Sequence, residues 1–387
     1  MFSRRAGWRL ELNRFTEAVR EAHSSNREIL DLTVSNPTRA GILYDQPAIL
    51  DALRNEKFLD YDPQPKGLLS AREAVADYYR QRGEKVDPEN LVLTTSTSEG
   101  YSYVFRLLAD PGAEVLVPKP SYPLFEFLAD LQDVKLVSYP LIYDHGWQVD
   151  LHSLDQALSE RTAAVVVVHP NNPTGSYVSA EEQGYLKQLC AEREIGLIVD
   201  EVFLDYAHDG QLRPSFATNA DALTFTLSGL SKISALPQMK LAWIAVSGPQ
   251  KLAREAMARL EIIADTYLSV NAPVQLAAPV LLEQRKAIQR QLMDRIRTNL
   301  RELDHQLSTK PACSRLNVEG GWYVVVRVPV TRSDEDLAIA LLRECGVLVH
   351  PGHFYDFPND GYLVLSLITE PAVFSEGISR LLNFVKH

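Results

Sequence analysis

Cysteine is scarce in this sequence, with Cys190, Cys313 and Cys345 the three among 387 residues. An odd count, at spacings that match neither a zinc site nor a disulfide framework, points away from a stapled secreted fold and toward a reducing compartment, each thiol acting as a small hydrophobe. Positive charge is short as well. Lys and Arg number 39 against 50 Asp and Glu, and a formal net charge of −11 leaves no basic face with which to hold nucleic acid nonspecifically. No apolar run approaches the roughly eighteen residues that a membrane span requires, so no membrane partner is expected. The opening MFSRRAGWRLELNRF has arginines but no apolar segment; it does not read as a signal peptide, and a cytoplasmic protein is expected. Glycine-rich phosphate loops of the GxGxxG and GxxxxGK(S/T) kinds are absent, which removes the anchor for a dinucleotide or a nucleoside triphosphate. Internal repeats and low-complexity linkers are missing too.

What is present is an ordinary globular composition, 46% hydrophobic and 23% charged, on a chain long enough for a large core and a second, smaller domain. Short apolar strands at 115–117, 134–137, 164–168, 196–199, 223–227 and 241–246 alternate with helical stretches. That alternation predicts an α/β fold with a mainly parallel central sheet covered on both faces. Apolar residues at helical spacing over 8–24 (Leu12, Phe15, Ala18, Val19) predict an amphipathic N-terminal arm. A long helical pattern from Ala272-Pro273 to about residue 307 reads as the connection into a smaller α+β domain, with strands near 322–328 and 362–367 and helices at 335–344 and 372–384. The expected division is 1–44 as an arm joining the small domain, 45–284 as the large domain and 285–387 as the small one.

Several stretches carry possible chemistry. LTFTLSGLSKISALPQMK, residues 223–240, reads as a strand that breaks at Ser228-Gly229 and presents Lys232; burial at a strand end lowers the pKa of an amine and frees it to condense with an aldehyde, whereas a surface lysine would only reach for water. GLIVDEVF ends an apolar strand at Asp200, and HPNNPTG sets Asn172 before a turn; helix capping and turn formation are the plainer roles for these two. In LVLTTSTSEG, five consecutive hydroxyl residues including Ser96 and Thr97 stand where a helix begins. Such a terminus offers free N–H groups and a positive dipole end to a phosphate, though the same residues also serve as simple caps. Tyr122, in Pro120-Ser121-Tyr122-Pro123, and Tyr61, in YDPQPKGLLSAREA, are either site aromatics or packed tyrosines.

Asn-Pro-Thr-Gly, the strand-end Asp and Ser-Lys follow one another about thirty residues apart, an ordered trio far more specific than any one motif. In that order they resemble the class I/II aminotransferases of pyridoxal phosphate (PLP) fold type I, and the likeness extends over nearly the whole chain. The resemblance implies that PLP forms a Schiff base with Lys232, which then serves as general base. It implies further that Asp200 pairs with the pyridine nitrogen, Asn172 donates to the ring oxygen, Tyr122 stacks on the ring, and Ser96, Thr97 and Ser231 hold the phosphate. Tyr61 would reach across a homodimer interface, and the substrates would be an amino acid and a 2-oxo acid. No metal is implied.

Departures from the family pattern are informative. Its tyrosine three residues after the aspartate is Phe203, its phosphate arginine is Lys240, and a serine three before the lysine is Gly229, leaving Ser228 or Ser231 to supply that hydroxyl. A lysine offers a point charge instead of a fork, so looser phosphate orientation is expected. Near the C-terminus, where relatives carry an arginine for the substrate carboxylate, Gly361-Tyr362-Leu363-Val364 places Val364. Either another cation takes over, with Arg39 the candidate, or the substrate is unusual; His350 and His353, in VHPGHFYDF, are expected to line the pocket. A lyase, decarboxylase or oxidase on the same scaffold, and a non-enzymatic PLP-binding regulator, stay open as alternatives.

Overall fold

The computed structural model describes residues 1–385 apart from Arg9, Asn26 and Leu124. In chain order its strands are β1 Leu30–Asp31, β2 Leu91–Thr94, β3 Glu114–Lys119, β4 Lys135–Tyr143, β5 Trp147–Val149, β6 Thr162–Val168, β7 Gly196–Asp200, β8 Thr224–Gly229, β9 Ala242–Ser247, β10 Ser314–Arg315, β11 Tyr323–Arg327, β12 Val347–Leu348, β13 His350–Pro351 and β14 Tyr362–Ser366. Eight of them form the central sheet in the order β2-β9-β8-β7-β6-β3-β4-β5. From β8 through β4 the pairing is parallel; β9 runs against both β8 and β2, and β5 folds back on β4. Two reversals leave β2 pointing the same way as β8. The carboxyl ends of β2, β3, β6, β7 and β8 therefore open on one edge of the sheet, where ligands of open α/β folds collect.

Burial explains why these segments are strands. β6 reads TAAVVVV and β7 reads GLIVD, nearly continuous β-branched runs that are buried on both faces. One face packs Val104 and Phe105 of the helix Thr97–Leu108 against Met257 and Leu260 of the helix Gln250–Asp265. Across the sheet, Val75 and Tyr79 meet Trp243, Ala277 and Leu281 in one cluster, and Leu186 and Leu189 meet Val165 and Leu197 in another.

A separate core gathers the two ends of the chain. Phe15, Ala18, Leu30 and Leu32 pack with Ile288, Leu292 and Ile296, and with Leu341, Phe374 and Ile378. β1 pairs in parallel with β12, and an antiparallel sheet runs β10-β11-β14-β13. The N-terminal residues thus complete a core whose other half is encoded far along the chain, as Leu30 beside Val347 and Ser366 N donating to Leu32 O illustrate.

Element boundaries differ from the periodic reading in three places. The arm helix starts at Arg14, because the Asn13 side chain accepts from Thr16 N at 2.7 Å and caps it there; Leu12 is left outside and exposed. The long pattern after residue 272 is two helices, Ala272–Glu283 and Arg285–Leu307, meeting at Gln284. The segment 335–344 is the helix Asp334–Ala340 followed by one wide turn, Leu341–Cys345, which Gly346 closes at φ +67°.

Candidate active site

At the carboxyl edge of the central sheet lies a cavity of about 450 Å³. Lys232 enters it from the short helix Leu230–Ile233 that follows β8, with its carbonyl held by Tyr206 Oη at 2.6 Å and Ala235 N at 3.2 Å. Its Nζ lies 4.8 Å from the centre of the Trp322 ring and 5.5 Å from that of Phe203. Removal from water pulls the amine pKa down to about 8, with the charge of Asp200 opposing the drop. The residue before this helix must be small. A Cβ on Gly229 would stand 2.8 Å from Ala242 Cβ and 2.9 Å from its Cα, because Gly229 and Ala242 are directly paired between β8 and β9. Of the two replacement hydroxyls, Ser231 lines the cavity, whereas buried Ser228 is turned to Glu201 O at 3.4 Å.

Asp200, at the end of β7, faces the same cavity. Its Oδ1 accepts from Val202 N at 3.1 Å and its Oδ2 from Tyr101 Oη at 3.2 Å, and burial pushes its pKa up to about 6. Above β2 the helix Thr97–Leu108 aims its N-terminus at the cavity through Ser96, Thr97 and Ser98. Ser96 caps the helix by accepting from Glu99 N at 3.2 Å, and Glu99 reaches back to Thr95 N at 2.7 Å. The N–H groups of Thr97 and Ser98 find no acceptor among the described residues.

After β6, Asn171 is fully engaged, with Ser121 Oγ, Pro120 O and Thr174 Oγ1 within 3.3 Å, and it locks the turn. Its neighbour Asn172 is thereby presented to the cavity, and its buried Oδ1 has no partner among the described residues. Tyr122, half-exposed, forms part of the wall.

Other expected residues stand elsewhere. Arg39 ends a short turn, exposed and outside the wall; Lys240 is exposed at φ +54° and also outside it. Val364 is buried in the small-domain core, so it does not reach the cavity, and His353 is exposed while His350 lines the wall. Tyr61, 84% exposed, borders a separate surface cavity of about 660 Å³. Conversely, Tyr101, Tyr323 and Tyr355 were not singled out from sequence. Tyr101 had a signal, one helical turn beyond Thr97; Tyr323 and Tyr355 come from the small domain, and nothing local to them announces the cavity.

The family profile for aminotransferase class I and II matches residues 27–372. The chain belongs to this family. Glutamate-pyruvate aminotransferase of Haemophilus influenzae is 28% identical over 379 residues, 95% of this chain and 93% of that protein. Alanine aminotransferase of Mycobacterium tuberculosis is 28% identical over 375 residues, covering 94% and 86%. Among solved structures, alanine aminotransferase from Pyrococcus furiosus shares the fold at a TM-score of 0.90 and 23% identity, with both chains covered in full. Class I and II aminotransferases use pyridoxal phosphate, and this chain is accordingly a PLP-dependent transaminase of fold type I, exchanging an amino group between an amino acid and a 2-oxo acid. Its cavity fits that cofactor. Two free N–H groups at a helix N-terminus suit a phosphate, the unpaired Asn172 amide and the Asp200 carboxylate suit polar positions of a pyridine ring, and the Lys232 amine suits an aldehyde. Among the described residues no helix is long and apolar enough to cross a membrane.

Proposed function

We propose that Lys232 holds the cofactor and carries the proton of transamination, in a cytoplasmic homodimer. The observation that bears the weight is the shared cavity, into which the Lys232 amine, the Asp200 carboxylate and the N-terminus of the helix Thr97–Leu108 all open. Bound PLP supplies an aldehyde that joins to amines and a ring that accepts an electron pair. The protein does the rest. Lys232, whose desolvation brings its pKa down to about 8 and so leaves a neutral fraction at physiological pH, takes a proton from the substrate Cα and returns one. Asp200, braced by Tyr101 and the Val202 amide, keeps a negative charge beside the ring nitrogen and so holds a proton there. Asn172 would donate to the ring oxygen, the Tyr122 ring would limit tilt, and Ser96, Thr97 and Ser231 would hold the phosphate. With Phe203 in place of a tyrosine, Asn172 is left without a hydroxyl neighbour from that position.

Support for a second copy comes from the surface. Leu59, Tyr61, Leu69 and Leu268 are exposed around one cavity, an apolar patch that a homodimer would cover while bringing Tyr61 toward the other copy's phosphate site. The division at residues 44 and 284 agrees with the arm and the last third sharing one core.

Alanine and glutamate, the donors suggested by the relatives' names, are the first to test. Borohydride reduction of the PLP-loaded protein should fix the cofactor to the peptide containing Lys232. Adding donor should move its absorbance to that of pyridoxamine phosphate. Fixation at another lysine refutes the assignment of Lys232, and ammonia release without pyridoxamine phosphate marks a lyase.

A further inference from the structure

A substrate carboxylate calls for a positive partner, yet among the described residues no arginine lines the cavity. Apart from Lys232, which is committed to the cofactor, one lining side chain among the described residues can carry a positive charge: His350. Its place in the sheet is telling. β13 and β14 pair His350 with Val364, and β14 and β11 pair Val364 with Val325. Directly opposed residues share a face, and Tyr323, two before Val325, lies on that face as well. The strip Tyr323, Val325, Val364, His350 thus borders the cavity at both ends, and the cation missing from β14 is available one strand over.

The ring is held in a defined way. Its Nδ1 lies 3.0 Å from Tyr355 Oη, and Phe354 packs against it with centroids 6.1 Å apart. Nε2 has no hydrogen-bond partner among the described residues.

Resting on the transaminase reading of this site, we propose that His350 receives the carboxylate of the amino-acid and 2-oxo-acid substrates, taking up one proton from solvent as it does so. The charged and titratable groups around it are consistent with that exchange. Tyr355 comes from its own loop, Tyr323 from β11, Asp31 from the arm, and Tyr122, Asp200 and Lys232 from the large domain, while His353 points outward. Burial holds the imidazole below its ordinary value and Asp31 opposes this; Asp31 itself is tied to Thr33 N at 2.7 Å and Thr33 Oγ1 at 2.6 Å. An uncharged ring in the substrate-free site becomes imidazolium when a carboxylate arrives. Affinity for carboxylate substrates therefore falls as pH rises, one proton per carboxylate.

Two measurements test this on the PLP-loaded protein. Half-reaction titrations with L-alanine and L-glutamate at several pH values should give a half-saturating concentration that climbs with pH. His350→Gln should raise it about ten- to hundredfold at low pH, the loss of one charge-assisted hydrogen bond, and flatten the pH dependence. Separately, nitrogen-labelled histidine NMR should show the His350 titration moving to higher pH when propionate is added. No conversion in the unmodified protein overturns the transaminase reading and this assignment with it. Conversion with unchanged affinity in His350→Gln, a larger affinity loss in Arg39→Ala than in His350→Gln, or an unmoved His350 titration overturns the assignment alone.

Discussion

Two buried charges within one cavity give this protein a pH signature of its own. Burial pushes Asp200 up to about 6 from 3.8, so the fold favours its protonated form, and the stability it contributes is lost as pH rises through 6. Lys232 moves the opposite way, down to about 8 from 10.5, and its contribution is lost as pH falls through 8. Between those values both side chains are charged and desolvated together. Cofactor-free Asp200→Asn is accordingly expected to melt at a higher temperature than cofactor-free wild type at pH 7, with the gap shrinking as pH falls through 6 and closing near pH 4, where the unfolded carboxyl is protonated as well. A gap as large at pH 4 as at pH 7, or a lower melting temperature at pH 7, contradicts this account. The Lys232 amine also has a kinetic consequence: covalent capture of PLP should quicken through pH 8, where its neutral fraction passes one half. Lys232, Asp200 and Asn172 could be read from sequence because each sits in a short run whose spacing identifies it. His350, expected at the pocket from the family resemblance, lines it, whereas Tyr323 could not be read in that way, since a small-domain sheet carries it to the cavity.

Strand pairing accounts for a residue that looked out of place. Gly229 stands where the family resemblance implies a serine, and nothing in the local sequence explains the difference; the adjacent strand does, because Ala242 leaves no room for a Cβ. Gly229→Ser should lower stability by about 1–3 kcal/mol, the usual range for overpacking, and displace the helix that carries Lys232. Thermal melting and borohydride labelling would check both effects, and a variant that melts and labels like wild type would contradict the clash. The strands themselves were legible because β-branched runs of five to seven residues can hardly be anything else between helices. Helix ends were less so. Asn13 caps the arm helix five residues inside the periodic pattern's start, and the junction at Gln284 divides a pattern whose apolar spacing continues across it.

For the whole molecule, the fold class followed from strand and helix alternation, whereas the pairing of the chain's two ends in one core depended on contacts such as Leu30 with Val347, which leave no periodic trace. Dimer formation is the prediction at this scale. Sedimentation should give twice the 43.4 kDa chain mass. Tyr61→Ala should weaken PLP retention on dialysis while leaving borohydride labelling at Lys232 intact, and retention equal to wild type in a dimeric protein would remove Tyr61 from the phosphate site. Trp322, fixed in the small-domain core yet 4.8 Å from the large-domain amine, has a use beyond packing. Any chromophore joined to that nitrogen lies close enough to quench indole emission, so the protein contains its own optical gauge of occupancy: fluorescence should fall as the vitamin derivative is loaded, and Trp322→Phe should remove most of that fall.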